Sequence, residues 1–183
     1  PCFCTRREIA EAAAAPHGVM GRYPGTCRGM STAERAARAT GRPGALRLDA
    51  AAAGFDEIEV EDVLHGRVAG TVDDVVLRRN DGVPSYNVAV VVDDATQGIT
   101  EVVRGDDLLG VTATQVALQR LLGLATPVYM HVPLVLGDDG ERLAKRHGAV
   151  TLADLAAIGV GPDEVRARLL AEIAEFAPFI ATD

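Results

Sequence analysis

Cys2-Phe3-Cys4 opens this 183-residue chain, and Cys27 follows downstream. Thiolates are ligands for Zn²⁺, which takes four donors in a tetrahedron. Three cysteines leave one corner for His17 or Tyr23. Imidazole is the commoner ligand, while Tyr23 lies four residues before Cys27, across the Pro24-Gly25 turn. The competing reading is three buried thiols without a metal, because C-x-C is a less specific signal than C-x-x-C. An odd cysteine count argues against a disulfide framework and for a reducing, cytoplasmic setting.

A second constellation is Gly140-Glu141-Arg142-Leu143-Ala144-Lys145-Arg146-His147-Gly148. Three cations in five residues, between glycines and after a β-rich run, suit a polyphosphate. Lys145 is the only lysine among 18 Lys and Arg residues. An ammonium is a compact charge that can follow charge developing on a phosphate, a task that arginine does not always take over. Alone, the loop reads more simply as a solvated basic turn. A third pair is Tyr86 with Arg104, which stand at strand ends in this reading. Arg104 could hold a carboxylate through two parallel N–H donors, with the phenol beside it. Separately, Tyr86 reads as an edge-of-core residue and Arg104 as a partner of Asp106 or Asp107. Asp93-Asp94 reads as a cap or turn before it reads as a Mg²⁺ site. His131 reads as a satisfied core histidine, and His65 and His147 as turn or loop residues.

Those groups need elements to position them. Residues 5–15 predict a helix with Thr5 as N-cap and Glu8 at the capping-box position, and Ser31 caps a second helix over Thr32–Thr40. Residues 45–49, 58–63, 68–69 and 75–78 are short β-rich segments that suggest a small antiparallel insertion. Tyr86–Val92 is an apolar run taken as a strand. Residues 99–104, 108–122 and 128–136 read as strand, helix, strand, a βαβ unit with parallel strands. Residues 151–175 are helical again, split at Gly159–Pro162. The division expected is 1–43 helical and zinc-binding, 44–80 β-rich and connective, 81–150 nucleotide-fold half, and 151–183 helical.

Composition bounds the function classes. Apolar residues make up 48% and charged residues 24%, a globular and not a disordered balance. Aromatics are 4% with no Trp, so the core rests on Val, Leu, Ile and Ala. The longest apolar run, Val88–Val92, is far short of the roughly 20 residues that cross a bilayer, and no secretory signal pattern occurs. The net charge of −8 argues mildly against a nucleic-acid partner. Only one βαβ half of a doubly wound fold is visible, and neither a P-loop nor G-x-G-x-x-G occurs.

The ordered run VVLRRNDGVPSYNVAVVVDDATQGITEVVRGDDLL, then QVALQRLLGLATPVYMHVPLVLGDDGERLAKRHG, resembles the second half of the class I catalytic domain of glutamyl-tRNA synthetases. With C-x-C and Y-P-G-T-C-R ahead of it, the chain is similar to the glutamyl-queuosine tRNA(Asp) synthetase family, short paralogues without an anticodon-binding domain. The resemblance implies an α/β fold: the second half of a Rossmann-like nucleotide-binding domain with a zinc-bearing insertion and a short C-terminal helical segment. It implies a structural Zn²⁺ on Cys2, Cys4, Tyr23 and Cys27, so that Tyr23 takes the place left open above. It implies glutamate contacts from Tyr86 and Arg104. It also implies a KMSKS-like ATP loop over Arg142, Leu143, Ala144, Lys145 and Arg146, with Lys145 as its second lysine. Ala144 replaces the usual serine and Arg142 the first lysine. The implied partners are glutamate, ATP with Mg²⁺, and tRNA(Asp), on a monomer with no membrane contact. The family's HIGH-like motif has no counterpart, so the expectation is the C-terminal part of a longer enzyme, inactive alone. The alternatives are a truncated glutamyl-tRNA synthetase charging the tRNA 3′ end, and a non-catalytic zinc-bearing RNA-binding module.

Overall fold

The computed structural model describes residues 1–14, 22–136, 151–172 and 174. His17 and the basic loop with Arg142, Leu143, Ala144, Lys145, Arg146 and His147 lie outside the described residues. The chain divides into two compact units. The first holds Pro1–Val60, Arg67–Thr100 and Gly110–Pro127; the second holds Glu61–Gly66, Glu101–Leu109 and Val128–Asp183.

In the first unit, helix α1 (Arg6–Ala13) starts on the expected capping box and α2 (Thr32–Gly41) on the expected Ser31 cap, which Glu34 completes as a second box. Thr5 Oγ1 accepts from the Glu8 N–H at 3.1 Å, and the Glu8 carboxylate accepts from the Thr5 N–H at 2.6 Å. Ser31 and Glu34 repeat the exchange. Such reciprocal bonds satisfy two N–H groups that a helix start leaves orphaned. Strands β1 (Leu46–Arg47) and β4 (Val76–Arg78) pair antiparallel. Strand β2 (Glu57–Asp62) alternates exposed and buried along its length, as a half-buried strand should. It is joined by residues 63–65 to its neighbour β3 (Gly66–Thr71).

The run from Tyr86 is not a strand. It forms helix α3 (Tyr86–Gln97). Ser85 caps it by accepting from the Val88 N–H at 3.4 Å. Gly98 ends it in the left-handed conformation at φ 69°, where glycine bears no Cβ penalty. The Ile99 N–H closes back on the Asp94 carbonyl at 2.9 Å. Valine prefers strands only weakly, and two good caps with a buried Val91 override that preference. Asp93 and Asp94 lie inside this helix and cap neither end. Helix α4 (Leu109–Leu122) follows, with every residue from Thr112 to Gln119 buried.

The second unit carries the βαβ strands. Strand β5 (Glu101–Gly105) pairs parallel with β6 (Val128–Val132) in continuous register. The last residue of β2, Asp62, pairs parallel with Tyr129 on the other edge of β6. The antiparallel expectation for residues 44–79 therefore holds for β1 and β4, while the end of β2 joins the parallel strands. Helices α5 (Leu152–Ala157) and α6 (Pro162–Glu172) follow, broken at the expected glycines.

Gly70 of β3 meets α4 so closely that a Cβ there would lie 2.5 Å from the Cβ of Ala113. Ala113 is 2% exposed and its methyl group cannot rotate away. Gly70→Ala should destabilise the fold by about 1–3 kcal/mol, read as a lower urea midpoint at unchanged slope. Adding Ala113→Gly should recover part of that loss.

Candidate functional site

The first cluster is in the first unit. Backbone bonds in both directions between Cys2 and Ala45, at 2.7 and 2.9 Å, fix the start of the chain. The turn after Pro24 needs Gly25 at φ 75° and folds Cys27 back on Tyr23. The Cys2, Cys4 and Cys27 sulfurs lie within 4.8 Å of one another. The phenol oxygen of Tyr23 joins them: it accepts from the Cys2 thiol at 3.3 Å and from the Cys27 N–H at 2.9 Å. Cys4 Sγ and Cys27 Sγ are 3.5 Å apart. Cys2, Phe3 and Cys27 are buried, with Cys4, Tyr23 and Met30 packed against them.

Four acidic groups at this spacing repel as anions, so they cannot all ionise unless a cation neutralises them. Burial pushes the Cys2 thiol up, but the hydrogen bonds that the ionised sulfur would accept from the Tyr23 hydroxyl, the Cys4 backbone and Arg47, with the Arg47 charge, outweigh it and bring the group down to about 7. Burial, the bond to Cys27 and the charges of Cys2 and Cys27 push Cys4 up to about 11. Burial first, then the Cys2 contact, raises Tyr23 well above the ordinary phenol. Arg47 stacks its guanidinium 4.0 Å from the centre of the Tyr23 ring and donates to the Asp74 carbonyl at 2.7 Å. The sequence offered no signal for Arg47, which reaches the cluster from β1.

A cavity of about 470 Å³ also lies in this unit, lined by Arg6, Arg42, Arg47 and Arg79 and by Tyr86. Tyr86 is the first residue of α3 and 66% exposed. Of the two expected glutamate contacts, Tyr86 belongs to the first unit and Arg104 to the second.

Arg104 is the penultimate residue of β5 and stands beside His131 of β6. Its Nε–H donates to His131 Nε2 at 3.0 Å. His131 is wholly buried, as the satisfied-core reading expects. Its Nδ1 meets Asp62 Oδ2 at 2.6 Å, and both side chains are sealed from solvent. Asp62 accepts further from the His131, Leu64 and His65 N–H groups at 3.0–3.1 Å. Burial pushes the Asp62 carboxyl up, yet the bond from His131 and then the His65 and Leu64 amides hold it below its ordinary value. His65 Nε2 donates to the His131 carbonyl at 3.1 Å. The Arg104 guanidinium also lies 5.3 Å from the Tyr129 ring centre. Asp62 was not legible as a site residue, because its partner His131 is 69 positions away.

Residues 1–170 match the family described as tRNA synthetases class I (E and Q), catalytic domain. A protein of Nocardia farcinica named glutamyl-Q tRNA(Asp) synthetase is 63% identical over 92% of this chain and 53% of its own length. Its namesake in Symbiobacterium thermophilum is 47% identical over 90% of this chain and 52% of its own. The chain thus spans about half the length of the curated relatives it matches. A glutamate tRNA ligase of Elizabethkingia meningosepticum, crystallised in complex with its amino acid, superposes with a TM-score of 0.63. That match is 28% identical and covers 80% of this chain and 32% of the other. The mixed parallel and antiparallel strands with their helices are the α/β arrangement of these catalytic domains, and the chain belongs to the class I tRNA synthetase (E and Q) catalytic-domain family.

Proposed function

We propose that this chain is part of an enzyme that activates glutamate with ATP and transfers it to the queuosine base in the anticodon of tRNA(Asp). The observation that carries the amino-acid half is Arg104, held at the carboxyl end of a parallel strand by the His131 bond of 3.0 Å. Ligands of open α/β sheets collect at such ends, and a guanidinium matches a carboxylate with two parallel bonds. The acceptor half rests on the shared name of the relatives. Tyr86, at the arginine-lined cavity, and Arg104 would bind glutamate. Lys145, with Arg142, Leu143, Ala144 and Arg146 around it, would serve the ATP phosphates, with Mg²⁺ on the nucleotide. In the first step an α-carboxylate oxygen of glutamate bonds to the α-phosphorus and pyrophosphate leaves with the broken P–O bond. In the second, a hydroxyl oxygen of the queuosine base bonds to the acyl carbon and gives up its proton, and AMP leaves with the broken bond between that carbon and the phosphate oxygen. The protein's work is positioning and charge stabilisation.

The Cys2, Cys4, Cys27 and Tyr23 donors fit a Zn²⁺ ion. Donors about 2.0–2.3 Å from one centre sit roughly 3.3–3.8 Å apart along tetrahedral edges; Cys2 Sγ and the Tyr23 oxygen are 3.3 Å apart, the Cys4 and Cys27 sulfurs 3.5 Å, and all three sulfurs lie within 4.8 Å of one another. The ion would neutralise the mutual repulsion and clamp the start of the chain to the turn at Gly25, a closed structural site with no place for substrate. A second reading, charging the 3′ end of tRNA(Glu), is favoured by the likeness to glutamate tRNA ligases of known structure.

A chimera in which this chain replaces the matching 53% of the Nocardia farcinica protein tests the reaction. It should catalyse glutamate-dependent ATP–pyrophosphate exchange and glutamylate queuosine-bearing tRNA(Asp), and the 183-residue chain alone should do neither. Lys145→Ala should cut exchange by about 100-fold or more. Acylation of tRNA(Glu) in place of tRNA(Asp) would select the second reading. Metal analysis tests the clamp: the chain should hold about one zinc, Cys27→Ser should lose it, and Tyr23→Phe should weaken it by about tenfold or more. Less than about half an equivalent, with all three thiols open to alkylation, counts against the site.

A further inference from the structure

The Nε–H of an arginine donates and never accepts. The nitrogen facing it, His131 Nε2 at 3.0 Å, must therefore present a lone pair. The imidazole proton is then on Nδ1, which donates to Asp62 Oδ2 at 2.6 Å. The tautomer follows from the partners and leaves no freedom to flip the ring. Asp62 is itself fully engaged. One oxygen takes the Leu64 and His65 amides at 3.0 Å each, and the other takes the His131 amide and Nδ1. His131 and Asp62 side chains are both 0% exposed.

A buried histidine needs its polar atoms satisfied and nothing more. This one is satisfied in a directional way, by a carboxylate behind it and a guanidinium ahead of it. The side chains of Arg104 and His131 meet because the residues are register partners on adjacent parallel strands. Fixing the Nε–H fixes the plane of the guanidinium, and the Tyr129 ring at 5.3 Å lies under it. A binding fork held this way is aimed before its ligand arrives, which removes an ordering cost from binding.

We propose that His131 is a positioning residue for Arg104, and that the chain Asp62–His131–Arg104 orients the guanidinium for the carboxylate of the amino-acid substrate. The proposal rests on the reading above that Arg104 binds glutamate. Asp62 is the far anchor, and His131 conveys its orientation to Arg104 without touching substrate.

Two substitutions separate positioning from simple core satisfaction. In His131→Asn the amide can occupy the Nδ1 place and bond Asp62, but it has no atom to reach Arg104. In His131→Gln the longer chain can bring a carbonyl oxygen to the Nε2 place and accept from Arg104. In the chimera, His131→Asn should raise the KM for glutamate about tenfold or more, a typical effect of removing an outer orienting partner, with the KM for ATP unchanged. His131→Gln should restore most of the affinity. Equal losses in the two variants, or a larger loss in His131→Gln, would overturn the proposal. The 183-residue chain supplies a readout without activity: ¹⁵N NMR should show the Nδ1–H tautomer of His131 and a coupling across the hydrogen bond to Arg104 Nε. An Nε2–H tautomer, or no coupling, overturns the positioning chain itself. If the coupling is present but Arg104→Ala leaves the glutamate KM unchanged, the glutamate assignment of Arg104 fails and the functional half of the proposal falls with it.

Discussion

A carboxylate sealed from water must find donors for its oxygens or remain protonated. Asp62 finds four N–H groups: three backbone amides and one ring nitrogen. That single demand explains several features of the second unit. It ends β2, sets the turn over residues 63–65, and holds β6 in its place beside the strand end. It also fixes the tautomer of His131 and, through it, the direction of Arg104. The carboxylate is depressed in pKa despite burial because its donors outweigh the loss of water. Removing one partner would leave the rest buried and unmatched, which is why such networks tolerate substitution poorly.

The cysteine cluster obeys the opposite rule. Asp62 is a lone acid surrounded by donors, whereas Cys2, Cys4, Cys27 and Tyr23 are four acids that have mainly one another. The Cys2 thiol reaches the Tyr23 oxygen at 3.3 Å, the Phe3 N–H reaches Cys27 Sγ at 3.4 Å and the Cys27 N–H reaches the Tyr23 oxygen at 2.9 Å, and Arg47 is the guanidinium against the Tyr23 ring. One carboxylate is matched by donors on both oxygens, while the other cluster brings three thiols and a phenol together within reach of one another.

What the sequence made legible follows from how far each signal reaches. Capping signals are complete within four residues, so the Thr5–Glu8 box and the Ser31 cap were read correctly, while Glu34 closes a second box that the sequence reading did not name. The strands β5 and β6 and the helix between them were found because hydrophobic spacing changes period along that stretch. The apolar run from Tyr86 was misread because its valines speak for a strand, while the deciding atoms, the Ser85 hydroxyl and the φ of Gly98, flank the run. The cysteine spacing pointed to a shared site, where the structure brings the three sulfurs and the Tyr23 oxygen together; the preference for Tyr23 over His17 rests on the family pattern, and His17 lies outside the described residues. Asp62 and Arg47 were invisible: each acts on a partner at least 24 positions distant, and no local pattern marks a contact of that range.

Helix α4 has no solvent side from Thr112 to Gln119. A helix at a surface writes its orientation into the chain as a stripe of tolerant positions every three or four residues. Here no such stripe exists over two full turns, and four of the eight residues are Thr or Gln, whose polar atoms must also find partners. Sequence drift therefore has no cheap direction within this segment. In a deep mutational scan it would appear as one unbroken intolerant band, and an inserted tag, crosslinker or epitope would have no face on which to attach.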